Sequence, residues 1–481
     1  MAIFNSGHSG GFCENGQPVS QQTVSPNLPA GQSTWLDRLL RLAADVRPGE
    51  STTALLLSAN VFLLLTAYYI IRPVRDGLIL AESGAVVRAY AGAILAVGFI
   101  FIVPAYGKFA NRVNRIRLVS GVTLFFVSNL VVFYILGQSG VGIGVAFYLW
   151  ASIFNLMVIA QFWSFANDVY TEAQGKRLFA IVGFGQSVGA VAGSAISLVL
   201  FEGMGLYIRL LVAGAFLLGC LVLTYVVHLR ERKRDRGGTG VEEVEEPLSG
   251  EGGFQLVMRH RYLLLIGLMT LMIQFVNTNG EYILAETFTA TAAEQVGGSG
   301  GDATQAEIDS AEGELIADFY ASFQLVVNLL SLLIQFFLVS RIFKYIGVSQ
   351  ALFIMPVISL ASYGLMAAVP LLAYIRVAKI AENATDYSLQ NTTRRALFLR
   401  TSRGAKYKAL QAVETFFWRG GDAASGVAVF ALAGLAGLGV RPFAAVNMAL
   451  VVVWLLFAGG INRRYTSGEA VGDAAAGTSD R

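Results

Sequence analysis

Apolar positions along the chain cluster into blocks of about 20 residues or more, the length that crosses a bilayer core as a helix. Twelve blocks are legible, at 52–71, 87–109, 116–137, 142–168, 177–201 and 206–228, then at 261–288, 315–341, 347–369, 371–398, 405–436 and 440–462. A polar, charged stretch separates the two sets of six. The pattern predicts an all-α polytopic membrane protein with twelve transmembrane helices in two six-helix halves. Its parts are a tail at 1–50, an N-terminal half at 51–228, a linker at 229–260, a C-terminal half at 261–462 and a tail at 463–481. Residues 1–33 are rich in Ser, Gly, Gln and Asn and read as disordered. Residues 35–46 are amphipathic, with Trp35, Leu39 and Leu40 on one face and Arg38 and Arg41 near its edge. They read either as a helix lying on the inner membrane surface or as a helix that caps the first span.

Composition agrees with this pattern. Hydrophobic residues make up 55% and charged residues 14% of the chain, where a soluble domain carries about 25% charged residues. The 52 Gly and 10 Pro suit close helix packing and bent helices. The two cysteines, Cys13 and Cys220, form no metal spacing, and the three histidines lie outside the apolar blocks, so no metal or cofactor is expected. Lys and Arg concentrate in the loops after spans 2, 4, 6, 8 and 10, and the other side carries only Arg72, Arg75, Arg88, Arg209 and Arg441. By the positive-inside rule both termini are cytoplasmic. The stretch at 291–314, with its Gly-Gly-Ser-Gly-Gly run and acidic residues, is expected to be a flexible external loop. Two parallel six-helix halves around a midplane site are the plan of a major-facilitator-like fold. Span 4 ends in Asn167-Asp168 and span 10 carries Asn383 and Asp386, each followed by basic residues and a glycine-rich helix, which is weak internal symmetry.

Charges inside the blocks carry the candidate chemistry, because ionisable groups in hydrocarbon are costly and usually face a protein interior or an aqueous cavity. Tyr68, Arg72 and Arg75 are spaced i, i+4, i+7 and share one helical face. Guanidinium forks suit carboxylate or phosphate oxygens, and Pro73 should bend the helix beside them. The alternative is that span 1 ends near Ile71 and the two arginines lie in the external headgroup region. In span 10, Arg376, Lys379, Glu382, Asn383 and Asp386 share roughly one side. They read as a binding or gating ladder, or as internal pairs that lock the halves. Span 11 holds Glu414, Trp418, Arg419 and Asp422, and Arg419 can pair with Asp422 at i, i+3. Span 7 adds Asn277, Asn279, Glu281 and Glu286, and span 4 adds Gln161, Trp163, Asn167 and Asp168. Gly185, Gly189 and Gly193 form a small-residue ridge for helix packing. No G-x-x-x-x-G-K-[ST] phosphate loop, nucleophile triad or acid pair is present, so neither ATP hydrolysis nor another enzyme activity is expected. The basic loops are topology signals, so nucleic acid is not an expected partner.

Specific strings add a resemblance. Ile71-Arg72-Pro73-Val74-Arg75-Asp76 resembles the first-span motif of the ATP/ADP translocases, the nucleotide transporter family of plastids and obligate intracellular bacteria. Phe162-Trp163-Ser164-Phe165-Ala166-Asn167-Asp168, with Lys176-Arg177-Leu178-Phe179 and Gly183 after it, is similar to that family's Phe-Trp-x-Phe-Ala-Asn-Glu and Lys-Arg-Phe block. Ala405-Lys406-Tyr407-Lys408-Ala409, running on to Arg419-Gly420-Gly421-Asp422, is similar to its span 11. The resemblance covers about 50–460. It implies a twelve-span facilitator fold, ATP-for-ADP exchange, and phosphate handling by charged intramembrane residues, carried over to Arg72, Arg75, Asp168 and Glu281. The family has lysine where Arg75 stands, glutamate where Asp168 stands, and a Phe-Asp-Pro-Thr-Lys-Glu string where residues 389–395 read LQNTTRR. The chain therefore looks like a divergent bacterial member, placed in the inner membrane.

Three functions follow as expectations. The first is a secondary transporter of an anionic, phosphorylated solute, with nucleotide exchange as its form and Tyr68, Arg72, Arg75, Asn167, Asp168, Glu281, Arg376, Lys379, Asn383, Asp386 and Arg419 as binding residues. The second is a proton- or ion-coupled transporter of another organic anion, with Asp168, Glu281 or Asp386 titrating. The third, a membrane scaffold or receptor, leaves the intramembrane charges without a use. The expected partners are a small anionic solute and the lipid bilayer.

Overall fold

A computed structural model describes residues 46–47, 50–110, 113–199, 205–235, 253–297, 304–401 and 403–467. The amphipathic stretch at 35–46 lies almost wholly outside them. Among the described residues there are helices and no strands.

The N-terminal half is built from α1 (Ser51–Ala110), α2 (Arg115–Gln138), α3 (Gly144–Val169), α4 (Glu172–Val199) and α5 (Ile208–Asp235). A short α6 (Gly253–Arg259) precedes α7 (Arg261–Gly297) and α8 (Gln305–Leu333), and α8 continues through a π turn (Ile334–Leu338) into α9 (Val339–Tyr345). Next come α10 (Val348–Ala351) and α11 (Ile354–Ala368). Span 10 is α12 (Leu372–Thr385), a π turn (Asp386–Gln390) and α13 (Asn391–Leu397). Span 11 is α14 (Arg403–Ala412), a π turn (Val413–Phe417), α15 (Trp418–Val429) and a second π turn (Phe430–Leu435), and α16 (Val440–Thr466) closes the described chain.

Helix covers most of each of the twelve predicted stretches. By length and composition, nine described helices are fit to cross a membrane. Spans 10 and 11 are not among them, because they are charged and interrupted by π turns. Spans 1 and 2 count once, because they run together in α1.

The break in α1 is at Gly84 (φ 77°, ψ 174°) and not at Pro73, where a bend was expected. Proline removes one helical hydrogen bond but keeps a helical φ. A left-handed φ, by contrast, needs glycine. The first limb of α1 therefore runs twelve residues past the predicted end at Ile71. This carries Arg72, Arg75 and Asp76 along a helix inside the protein, which disposes of the headgroup reading.

The expected external loop at 291–314 is also mostly helix. The Glu307 carboxylate accepts hydrogen bonds from the Thr304 N–H (2.8 Å) and hydroxyl (2.9 Å), which starts α8 at Gln305. This is the T-x-x-E signature of a helix start; the Gly and acid content of the stretch outweighed it.

The glycine ridge packs α4 onto the first limb of α1. A Cβ on Gly185, Gly189 or Gly193 would strike the backbone of Ser58, Phe62 or Thr66, respectively. The second half repeats the relation. Gly421 of span 11 sits against the Leu271 carbonyl and Gln274 of α7, where a Cβ would lie 2.6 and 2.7 Å from them. Span 5 on span 1 and span 11 on span 7 are thus the same packing, done with glycine in each half.

Gly426 of span 11 packs on Ala93 of span 2, and the halves meet again at one end. A Cβ on Gly77 would lie 2.5 Å from the Gly313 carbonyl oxygen, and Arg209 pairs with Asp318 across the halves at 2.7 Å. Asn328 of α8 donates to the Ala190 carbonyl and the Ser194 hydroxyl of α4. Toward the other end the halves part around a cavity.

Candidate functional site

The cavity has a volume of about 600 Å³ and is walled by both halves. Its lining runs from Arg72, Arg75, Arg88 and Glu281 at the closed end to Arg394, Arg395 and Glu414 at the other. Exposure sets the direction of opening: the Arg395 side chain is 63% exposed and Asp76, behind the deep wall, 2%. Six arginines and four carboxylates line it, so the wall is net cationic.

The deep cations are not equivalent. Arg75 donates to Asp76 (2.9 Å) and lies 4.8 Å from the Tyr148 ring. Arg88 also reaches Asp76 (3.3 Å) and stands 4.0 Å from Glu281 across the halves. Arg419 pairs with Asp422 at 3.2 Å, as its i, i+3 spacing predicted. Arg72 has no carboxylate within 4.0 Å among the described residues. It donates to the Tyr387 hydroxyl of span 10 (3.3 Å), its guanidinium carbon lies 5.9 Å from the centre of the Tyr69 ring, and its Nε is buried without a partner.

Tyr387 sits in the π turn Asp386–Gln390. Such turns add a residue to a helical turn and often mark functional sites. Asp386 also lines the cavity, with no cation within 4.0 Å among the described residues.

Of the eleven expected binding residues, Arg72, Arg75, Glu281, Asp386 and Arg419 lie in the cavity wall, as do Asn277, Glu414, Trp418 and Asp422 from the same spans. Lys379 and Asn383 lie just behind it. The Lys379 Nζ donates to Glu382 (2.8 Å) and Asn277 Oδ1 (3.0 Å) and is 3.7 Å from Glu281, to which Asn383 donates at 2.8 Å. Four are placed elsewhere. Tyr68 is buried in the N-terminal core, edge-on to Tyr69. Arg376 turns to α8, donating to Ser322 (3.0 Å) above the Phe319 ring. Asn167 and Asp168 are exposed at the C-terminal end of α3. The span-4/5 block therefore lies at the end of the helix. There Trp163 packs on Phe179 and Arg177 grips Glu50 at 2.9 Å.

Arg88, Tyr148, Tyr387 and Arg394 also line the cavity and were not candidates. Arg88 and Arg394 had been counted as loop charges. A usable signal was present: Asn383, Tyr387, Asn391 and Arg394 step by four, four and three, which traces one helical face.

No protein-family model matches the chain, and no curated protein matches it. Solved structures do. A bacterial homolog to the human lysosomal transporter Spinster, inward-facing and unoccupied, matches with a TM-score of 0.56 at 16% identity over 88% of this chain and 99% of that one. The nucleoside transporter NupG gives 0.58 at 11% identity over 86% and 99%. A bacterial homologue of the iron transporter ferroportin, inward-facing, gives 0.57 at 12% identity over 85% and 98%. These identities speak for the fold alone. The chain is a multi-pass, all-α membrane protein of major-facilitator-like fold.

Proposed function

We propose that this protein is a secondary transporter that moves a small anionic solute by alternating access of its two halves. One observation carries the reading. Arg72, a permanent cation, faces the inter-half cavity with no carboxylate within 4.0 Å among the described residues. A guanidinium in such a place is stabilised by an incoming oxyanion, and the partners it has now, a phenol and aromatic rings, can yield to one. With the basic loops on the cytoplasmic side, the cavity opens to the cytoplasm.

Phosphorylated solutes fit the paired forks of several arginines. The first-span resemblance supports nucleotide exchange as the specific form, and the strongest part of that resemblance, at 162–183, lies away from the cavity. A second reading draws on Asp386, a cavity carboxylate with no cation within 4.0 Å among the described residues. It could take up a proton with the solute.

The test is uptake into proteoliposomes. Labelled ATP entering only vesicles preloaded with ATP or ADP supports exchange. No nucleotide uptake, together with uptake of another organic anion driven by a pH gradient, supports the second reading. If no anion is carried under either condition, the anion-transport reading falls. In whichever assay succeeds, Arg72→Gln should weaken apparent affinity by about 10- to 150-fold, the loss of a hydrogen bond to a charged group.

A further inference from the structure

Arg394 is a second cavity cation with no carboxylate within 4.0 Å among the described residues, and it is the more buried of the two, at 5% exposure. Its guanidinium carbon lies 4.3 Å from the centre of the Trp418 ring, and its Nη2 donates to Asn391 Oδ1 at 3.3 Å. Its Nε is buried and has no partner. The acidic groups nearest along the same wall are Asp386 and Glu414, and Glu414 faces Arg395 at 4.0 Å. Arg394 is therefore oriented from one face by an indole and from one edge by an amide, with hydrogen-bonding capacity left over. That is the state of a guanidinium prepared for an oxyanion.

Its place in the fold gives it a partner. Arg394 follows Tyr387 by seven residues on span 10, which is about 10 Å along a helix, toward the open end. Tyr387 is the residue that touches Arg72. The two arginines with no carboxylate within 4.0 Å thus mark the deep and outer parts of one cavity, one from each half.

We propose that Arg394, held by Trp418 and Asn391, is a second anion subsite, and that the solute carries anionic groups at two points, one for Arg72 and one for Arg394. This rests on the anion-transport reading and goes past it, since a compact monoanion satisfies Arg72 alone. Trp418 acts as a positioning residue that keeps the guanidinium plane facing the cavity.

Inorganic phosphates of different length test this without knowledge of the natural solute. Orthophosphate and tripolyphosphate binding is measured on the purified full-length protein by calorimetry. Wild type should prefer tripolyphosphate. Arg394→Gln should weaken tripolyphosphate by about 10-fold or more, the scale of a charge-assisted pair, and leave orthophosphate within about 2-fold. Arg72→Gln should weaken both. Trp418→Leu, which keeps the charge, should weaken tripolyphosphate alone, by about 3-fold; it also covers the case in which Arg394→Gln does not fold. Equal loss on both probes in Arg394→Gln and Trp418→Leu, or no loss on either, overturns the two-point site while leaving the anion reading standing. If wild type binds neither probe, both fall.

Discussion

Lys379 and Glu382 form the most enclosed ion pair in the described structure, with side chains 0% and 1% exposed. The ammonium donates to Glu382 (2.8 Å) and Asn277 Oδ1 (3.0 Å). The carboxylate in turn accepts from the Ser359 hydroxyl (2.8 Å) and the Tyr363 hydroxyl (3.1 Å). Lys379→Met removes the cation and strands a carboxylate where water does not reach. Breaking a buried pair from one side costs about 3–5 kcal/mol, whereas neutralising both members can cost little. In glutamine the side-chain carbonyl can take the Ser359 hydroxyl at the Oε1 position, and the amide N–H at the Oε2 position can donate to the Tyr363 hydroxyl, which keeps its own donation to the Val276 carbonyl (3.0 Å). Lys379→Met with Glu382→Gln should therefore recover most of the loss, and the coupling in the double-mutant cycle should reach about 2 kcal/mol or more. Glu281 keeps Asn383 and stands 4.0 Å from Arg88, so it adds less to the single-mutant penalty. Buried Cys220 supplies the assay. In a Cys13→Ser background, a thiol-reactive fluorophore reports unfolding in detergent as Cys220 becomes exposed. The expected order of midpoints is wild type, then the double variant, then Lys379→Met well below. A Lys379→Met protein as stable as wild type that nevertheless loses transport would refute this reasoning. Lys379 would then belong to the solute and not to Glu382.

Two further outcomes use the same thermal readout. Gly189→Val should destabilise by about 1–3 kcal/mol or more, because the added atoms meet the Phe62 backbone and no side chain can give way; Gly183→Val on the same helix, with nothing within 4 Å of its Cβ, should be close to neutral. At Glu50, burial pushes the carboxyl up, but hydrogen bonds from Arg177, the Arg47 N–H and Gln174 outweigh it and hold the group below its ordinary 4.5. Its contribution is thus present above the ordinary value and lost as pH falls through the lower folded one. The stability advantage of wild type over Glu50→Gln should be full at about pH 6 and shrink at about pH 3.5.

The fold was largely legible because helices that cross a bilayer must be long and apolar, and each block carries its own length. The glycine ridge was legible for a similar reason: small residues four apart on one face have a single common use in helix packing. The site was legible only in part. Hydropathy stops a span at the first charge, so span 1 ended at Ile71 although the helix continues to Gly84. Arg88 and Arg394 fell inside the blocks at 87–109 and 371–398 but were counted as topology charges, since the sequence does not reveal that a charged turn is covered by the opposite half. Periodicity fixes a face but not what it looks toward. Arg376 and Lys379 share a side of span 10, yet one turns to Ser322 and Phe319 and the other to Glu382. The π turns at Asp386–Gln390 and Val413–Phe417 shift the register after them, and no residue type announces them.

For the proposed transport cycle, the deep wall offers an opening that strands no single charge. Arg75, Asp76, Arg88, Glu281, Lys379 and Glu382 alternate in sign in one chain that passes from the first half to the second. The link across the halves, Arg88 to Glu281, is the longest at 4.0 Å. Within each half the links are shorter: 2.9 and 3.3 Å to Asp76, then 3.7 and 2.8 Å to Lys379. If the halves separate here, Arg88 keeps Asp76 and Glu281 keeps Lys379 and Asn383. The electrostatic cost of parting is that of one long pair, where severing either end link, Arg75 to Asp76 or Lys379 to Glu382, would leave Arg75 or Glu382 alone. Arg72 is the exception on this wall. It has no carboxylate within 4.0 Å among the described residues, and its present hydrogen bond, to Tyr387, is to the other half. Parting the halves without an anion removes that hydrogen bond and puts nothing in its place, whereas parting them around a bound anion leaves Arg72 paired. Under the proposed anion-transport reading, this arrangement favours reorientation of the loaded protein over the empty one, the behaviour that exchange requires.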